Sequence, residues 1–495
     1  MSPVMAYEIV IGLETHAELM TRSKLWCACS TRFGQPSNSQ TCPVCLGMPG
    51  VLPVLNREAF ELAVKAALAM HSEISPRTFF DRKGYYYPDL PKNYQVSQNY
   101  CNLGVGGYVD IPVEGAAKRV RIHNVHLEED AGKNIHAEHP GADYSLVDLN
   151  RAGTPLLEIV TEPDMRSVGE ADAFMQALRQ ILMYCRISDC RMQEGSLRFE
   201  ASVSLRPPGQ EEYGVRVEVK NLNSMKAVVK ALQHEVKRQA ALLDSGGPVE
   251  RETRLWNDEA GRTERMRSKE EAHDYRYFPE PDLVPCEIDE EWLERLRAEL
   301  PEPPIERRAR LERDYSLSTY EAQVLTDDRD MADYFEDCVR AGASPKSAAN
   351  WLMNVVSAIL NERKIGIAQF EVKAGSLAEL VQLADEGKVT ASAARDVLAR
   401  MIKDAQGGQE EGLPTPSGLV DDMGLGTISG GSELEGAVDE AIASSAKAVK
   451  DYLKGKEAAL GAIMGQVMRL TKGKADPGLA AGLLRQKLDA MKGSK

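Results

Sequence analysis

The chain has 495 residues, 43% of them hydrophobic and 27% charged, and its 75 Asp/Glu against 60 Lys/Arg give a net charge of −15. That length is too great for one hydrophobic core and predicts about two to four domains. The acidic balance argues against a protein that coats nucleic acid without specificity.

Glu8, Glu14 and Glu18 interrupt the first twenty residues, so no secretory signal is expected there. No window approaches the roughly 18 consecutive apolar residues of a membrane span. Nine cysteines, an odd number, fit a reducing cytoplasm. "YEIVIGLETHAEL" then alternates as a strand, and Glu14, His16 and Glu18 fall on one face of it, opposite Leu13 and Leu19. Three ionisable groups on one face are costly to bury unless paired or metal-bound.

The next segment carries Cys27, Cys29, Cys42 and Cys45. Two close pairs joined by a turn-rich stretch predict one structural zinc site, against the alternatives of a disulfide or of unrelated buried thiols. Four protein ligands leave no position for substrate, so the reaction is sought elsewhere. "NREAFELAVKAALAM" reads as an amphipathic helix. "FDRKGYYYPDLPKNYQVSQ" gathers Lys83 and three tyrosines, either a loop that stacks a purine and contacts phosphate or a packed surface loop. "HNVHLEEDAGK" brings His126, Glu128, Glu129 and Asp130 together, and its alternation slips phase near Asn124, which predicts a bulge.

"SVGEADAFMQALRQILMYC" is helical in period. "GSLRFEASVSLRP" and "VRVEVKNLNS" alternate again, placing Arg198 and Glu200 on one charged strand face and Glu218 and Lys220 on another. Strands with one apolar and one charged face predict an α+β domain, an antiparallel sheet whose polar face is open to a cavity. Carboxylates with an imidazole suit Mg²⁺ holding polyphosphate, and a solvated face laced with ion pairs is the alternative.

A Pro/Glu-rich joint at Leu300–Arg308 precedes a wholly helical region, and Gln406–Gly418 reads as a flexible linker. The expected divisions are a catalytic domain over 1–295, a helical domain over 296–405, a linker over 406–430 and a helical tail over 431–495. From Ser444 to Lys495 there are 11 Lys/Arg and 4 Asp/Glu, a local balance of +7 that suggests contact with a polyanion or a solvated lysine-rich face. Neither a Walker-type loop nor a strand-coupled G-x-G-x-x-G is present.

Taken in order, "VIGLETHAEL", "FDRKGYYYPDLPKNYQVSQ", "HLEEDAGK", "SLVDLNRAGTPLLEIVTEPD", "EGSLRFEASVSLR", "VEVKNLNS" and "DYRYFPEPDL" resemble the B-subunit family of the tRNA-dependent aspartyl/glutamyl amidotransferases. The resemblance spans nearly the whole chain. It implies a catalytic domain of glutamine synthetase type, followed by an all-α domain and an all-α tail that grip tRNA. It implies that ATP phosphorylates the side-chain carboxylate of Glu-tRNA(Gln) or Asp-tRNA(Asn), and that ammonia from a glutaminase A subunit completes the amide. It further implies a C subunit that completes a heterotrimer, and a cytoplasmic location with no membrane association is expected.

Carried over by position, His16, Glu129 and Glu218 match magnesium ligands, with Glu14 beside them. By residue type, Lys83, Arg198 and Lys220 are candidates to hold phosphate, and Glu14 or Glu128 to take a proton from ammonia. The zinc is expected to be structural. One departure stands out: this chain reads "FEASVS" where relatives read "CDANVS", so Glu200 and Ser202 replace a shorter acid and an amide. A zinc module that only positions tRNA, and a ligase acting on a free amino acid, are the competing readings.

Overall fold

The computed structural model describes residues 7–113, 116–136, 144–268, 275–407, 413–427, 432–471 and 473–492. The chain divides into two compact units, Met1–Pro303 and Pro304–Lys495. The first is mixed α/β and sheet-rich, and the second is helical.

The first unit is built on a ten-stranded sheet. Its principal strands are β1 (Glu8–Glu18), β2 (Ala116–Glu129), β3 (Pro155–Thr161), β4 (Leu197–Arg206), β5 (Val217–Lys220), β6 (Glu252–Asn257) and β7 (Arg262–Ser268). They lie in the order β7-β6-β5-β4-β1-β3-β2, with short strands beyond β2. These principal strands all pair antiparallel except β5 with β6, which pair parallel through a helical crossover. The first strand in sequence is therefore central in space.

Period-two alternation divides the sheet into two faces. Ile11, Leu13, Ala17, Leu127, Leu157, Phe199, Ala201 and Val203 are buried on one face. They form a single core with helices α1 (Arg57–Ala69), α2 (Val168–Tyr184) and α3 (Met225–Asp244). Each helix begins at a side-chain cap. Asn56 accepts from Ala59 N, Ser167 from Glu170 N, and Ser224 from Ala227 N.

The expected bulge is present. Val160 faces Asn124 but Thr161 faces Ile122, so one residue of β2 is extra. That slip returns Val125 and Leu127 to the core and turns His126 and Glu128 to the opposite, polar face.

In the second unit, "PKSAANWLMNVVSAILNERK" is one helical run with a π turn at Trp351–Val356. Two helices flank Gly387 as the periodicity predicts, and its φ of 69° favours glycine there. The stretch expected as a linker over 406–430 contains a helix, Pro416–Asp422. Its Leu419 and Val420 are buried in the same core as Leu377 and Val397. Residues 408–412 and 428–431 lie outside the described ones. A separate core follows, made of Leu434, Val438, Ile463, Val467, Leu484 and Leu488. No helix among the described residues is long and apolar enough to cross a membrane.

Candidate functional site

Strand register assembles the polar face. His16 of β1 lies opposite Glu158 of β3 on one side and Arg198 of β4 on the other, and Glu158 in turn lies opposite His126 of β2. Four neighbouring strands thus present Arg198, His16, Glu158 and His126 in one row. Glu14 stands beside the row on β1 and Glu128 on β2, both on the same face.

The distances are short. His16 Nε2 lies 3.4 Å from Glu158 Oε2, 3.6 Å from Glu14 Oε1 and 3.6 Å from Glu128 Oε1. His126 Nε2 lies 3.2 Å from the same Glu158 oxygen and 3.9 Å from Glu128 Oε2. Glu158 is the hub that both imidazoles share.

Burial shapes the charges. It pulls His16 downward, but the hydrogen bond to Glu158 and the charges of Glu158, Glu128 and Glu14 outweigh it and hold the imidazole at about 9. Burial and the Glu158 charge push Glu14 up to about 7 and also raise Glu128. Burial opposes ionisation of Glu158, yet the two histidines hold it well below the usual carboxylate range. Next to the row, burial and Asp130 raise Glu18 to about 8, while Arg198 and Arg151 keep Asp130 low against its own burial.

This donor set fits a hard divalent cation. Glu14, His16 and Glu158 offer ligand atoms all within 4.8 Å of one another, and so do His126, Glu128 and Glu158. Two overlapping triads share one carboxylate. Buried His126 Nδ1 has no hydrogen-bond partner among the described residues.

The expected residues divide into those that converge here and those that do not. Glu14, His16 and Glu128 come together. Lys83 sits beside them, close enough for the Glu128 and Glu158 charges to raise its ammonium against the effect of burial. Its Nζ lies 5.1 Å from the centre of the Tyr275 ring.

Glu129 does not reach the row. It is one residue out of phase with Glu128, accepts from Val96 N at 2.8 Å, and forms an ion pair with Lys92. Glu218 is two strands away, opposite Ser202, and holds Arg216 at 3.0 Å. The trio His16, Glu129 and Glu218 is therefore not assembled in this structure. Glu218, Glu14 and Glu200 instead border a neighbouring cavity of about 260 Å³. Arg198 is committed to Asp130 at 2.7 Å, and Lys220 to Glu200 at 2.6 Å.

Glu158 is the residue that sequence reasoning did not single out, and His126, noted within its segment, was given no role there. The available signal for Glu158 was a lone carboxylate within the apolar run "PLLEIV".

The four cysteines also converge. Their sulfurs lie within 4.8 Å of one another, and Cys42 and Cys45 are 3.9 Å apart. Sulfurs around a tetrahedral zinc at about 2.3 Å stand about 3.8 Å apart, so the donor set fits zinc. A hydrogen bond from Cys27 and the nearby Lys24 ammonium bring Cys45 down to about 4 despite its burial. The same contact raises Cys27, and burial raises Cys29 to about 11.

A largely antiparallel sheet carries on its polar face a carboxylate–imidazole cluster whose donors fit a cation, and the same unit carries a four-cysteine knuckle. The family description "GatB/GatE catalytic domain" matches residues 9–294, and "GatB domain" matches residues 333–488. A curated relative from Moorella thermoacetica is 50% identical over 98% of this chain and 100% of its own length. Others from Carboxydothermus hydrogenoformans and Caldanaerobacter subterraneus are 48% and 49% identical, over 97% and 98% of the chain and 99% and 100% of their own lengths. Each is named as the B subunit of an aspartyl/glutamyl-tRNA(Asn/Gln) amidotransferase. The chain belongs to this family of amidotransferase B subunits.

Proposed function

We propose that this chain uses ATP to phosphorylate the side-chain carboxylate of Glu-tRNA(Gln) or Asp-tRNA(Asn), and then joins that acyl group to ammonia. The observation that carries this reading is the Glu158-centred cluster, placed on the polar sheet face in a chain that matches the amidotransferase B subunits along nearly its whole length.

His16, Glu14, Glu128 and Glu158 are the residues that would hold magnesium. Glu129 and Glu218 join that set only if Glu129 leaves Lys92 and Glu218 leaves Arg216. When bound, the metal supplies positive charge to the phosphate oxygens and to the phosphoryl group in transit.

The protein's own groups do the rest. The substrate carboxylate oxygen attacks the γ-phosphorus, and ADP leaves. Lys83, Arg198 and Lys220 are the cations that would orient phosphate oxygens, once Arg198 and Lys220 exchange their carboxylate partners for phosphate. Ammonia then attacks the acyl carbon and inorganic phosphate leaves. Glu14 or Glu128, whichever is not holding the metal, takes up the excess proton.

The antiparallel sheet with its ionisable face supports a kinship with the glutamine synthetase type of catalytic domain. The four-cysteine site would hold a structural zinc ion. The partners are a glutaminase A subunit that delivers ammonia and a C subunit, in a cytoplasmic heterotrimer. The domains are the catalytic region to residue 295, the helical domain beyond it and the basic tail from 431.

The test is an assay of the assembled complex with ATP, glutamine and each mischarged tRNA. ADP and amide are expected in equal amounts, and only with tRNA present. Equal turnover on free glutamate or aspartate would mark an amino-acid ligase instead. Amide formation without ATP consumption would sink the phosphorylation step.

A further inference from the structure

Beside the site lies a cavity of about 510 Å³ whose outer part no step above uses. Its inner end is formed by Glu18 and Arg198, the immediate neighbours of His16 on the polar face. Its outer wall is the tip of the cysteine knuckle, with Arg32 and Phe33, and Lys133 also borders it.

That wall is rigid. Cys29 and Cys42 anchor the two ends of the loop. Asn38 sits in the left-handed region at φ 59°, donates to Val147 O at 2.9 Å and accepts from Leu149 N at 2.8 Å. Asn150 answers from the other side. Its side chain donates to Pro36 O at 2.7 Å and accepts from Gln40 N at 2.8 Å. Gln40 in turn donates to Arg32 O at 2.9 Å. A loop tied down along its length in this way is a preorganised surface.

On that surface Phe33 is 66% exposed. Arg32 forms no ion pair among the described residues, and Lys133, one of the groups whose charge lowers Asp148, makes no ion pair with it. One uncovered ring with two uncommitted cations, at the mouth of a cavity that leads to the reacting face, is the chemistry that recognises an unpaired base and its phosphate.

We propose that the knuckle tip is a nucleotide subsite: Phe33 stacks a base, Arg32 and Lys133 take its phosphate, and the rest of the molecule runs inward past Arg198 to His16. The assignment rests on the activity proposed above. The nucleotide is either the unpaired end of the tRNA or free ATP. The four-cysteine site then has a second use beyond stability, since it sets the height of the platform.

Phe33→Trp provides a direct reading. Its emission, taken as a difference from the wild-type chain, is titrated separately with ATP and with a short single-stranded oligoribonucleotide. Quenching by either is expected, with Arg32→Ala or Lys133→Ala in the same background weakening it. Quenching by the oligoribonucleotide assigns the tRNA end, and quenching by ATP assigns the free nucleotide. In the assembled enzyme, Phe33→Ala should raise the KM of that one substrate about tenfold, leave the other KM unchanged, and be rescued by Phe33→Trp. Absence of quenching by both ligands overturns the subsite. A wild-type complex that fails to amidate any mischarged tRNA would sink the activity reading while leaving the fluorescence result in force.

Discussion

The two units treat charge in opposite ways. The sheet-rich unit buries Lys24, Asp81, His126, Glu128, Glu129, Asp130, Glu235, Glu252 and Glu280. Among the described residues of the helical unit, Arg307 is the one comparably buried charge, held by Asp333 and Glu336. Burying a charge costs several kcal/mol unless partners return it. The first unit therefore spends stability to hold ionisable groups at fixed distances. The second closes ordinary apolar cores and leaves its charges in water.

The largest effect that sharpens this contrast is expected at Glu158. Glu158→Ala removes the carboxylate shared by both triads, and ADP formation by the complex should fall at least about a hundredfold. Circular dichroism should still report a folded chain. Near-normal rates would mean that the buried cluster is only structural.

Next is the knuckle. Cys45→Ser should cut bound zinc from one per chain to a trace by elemental analysis, and lower the melting temperature by roughly 5–10 °C. Wild-type protein purified without chelator but free of zinc would break the assignment.

A cut in the helical unit belongs after residue 431, not at residue 407. Cutting at 407 would strip Leu419 and Val420 from the core they share with Leu377. Removing 432–495 takes away a separate core and its basic surface. KM for mischarged tRNA should rise severalfold, its salt dependence should flatten, and kcat should change less. An unaltered salt slope would place the grip elsewhere.

The smallest effect tests a surface charge. Glu321 closes a capping box with Ser318 and holds Lys346 at 2.7 Å. The hydrogen bond from Lys346, then those from Ser318, bring its carboxyl down to about 2. Because the folded value lies below the unfolded one, its contribution is present above about pH 4.5 and fades as pH falls toward 2. Glu321→Gln should cost about 0.5–1 kcal/mol at pH 7 by denaturant unfolding. The two proteins should converge near pH 2. A gap that stays constant with pH would assign the effect to propensity instead.

Much of this was legible in the chain itself. Alternation placed Glu14 and His16 on one face, cysteine spacing marked the knuckle, and a phase slip at Asn124 marked the bulge. What alternation could not supply was register. Glu158 meets His16 only because β3 pairs with β1 at one offset among several. The choice between Glu128 and Glu129 is likewise a matter of phase, and a bulge changes phase by a single residue. The helix at Pro416–Asp422 escaped because Gly, Pro and Glu around it read as linker, while two apolar side chains finding a core decided otherwise.

The central position of β1 also dictates a timetable. The hydrogen bond from Leu13 N to Thr161 Oγ1 spans 148 residues of chain, and that from Ser202 Oγ to Gly12 O spans 190. At about 5–20 residues per second of synthesis, the strand that carries His16 waits on the order of ten seconds or more for its first neighbour and longer for its second. Throughout that wait it is an unpaired apolar edge outside the ribosome. Errors in producing this chain are therefore expected to concentrate at this strand, before the reacting face exists at all.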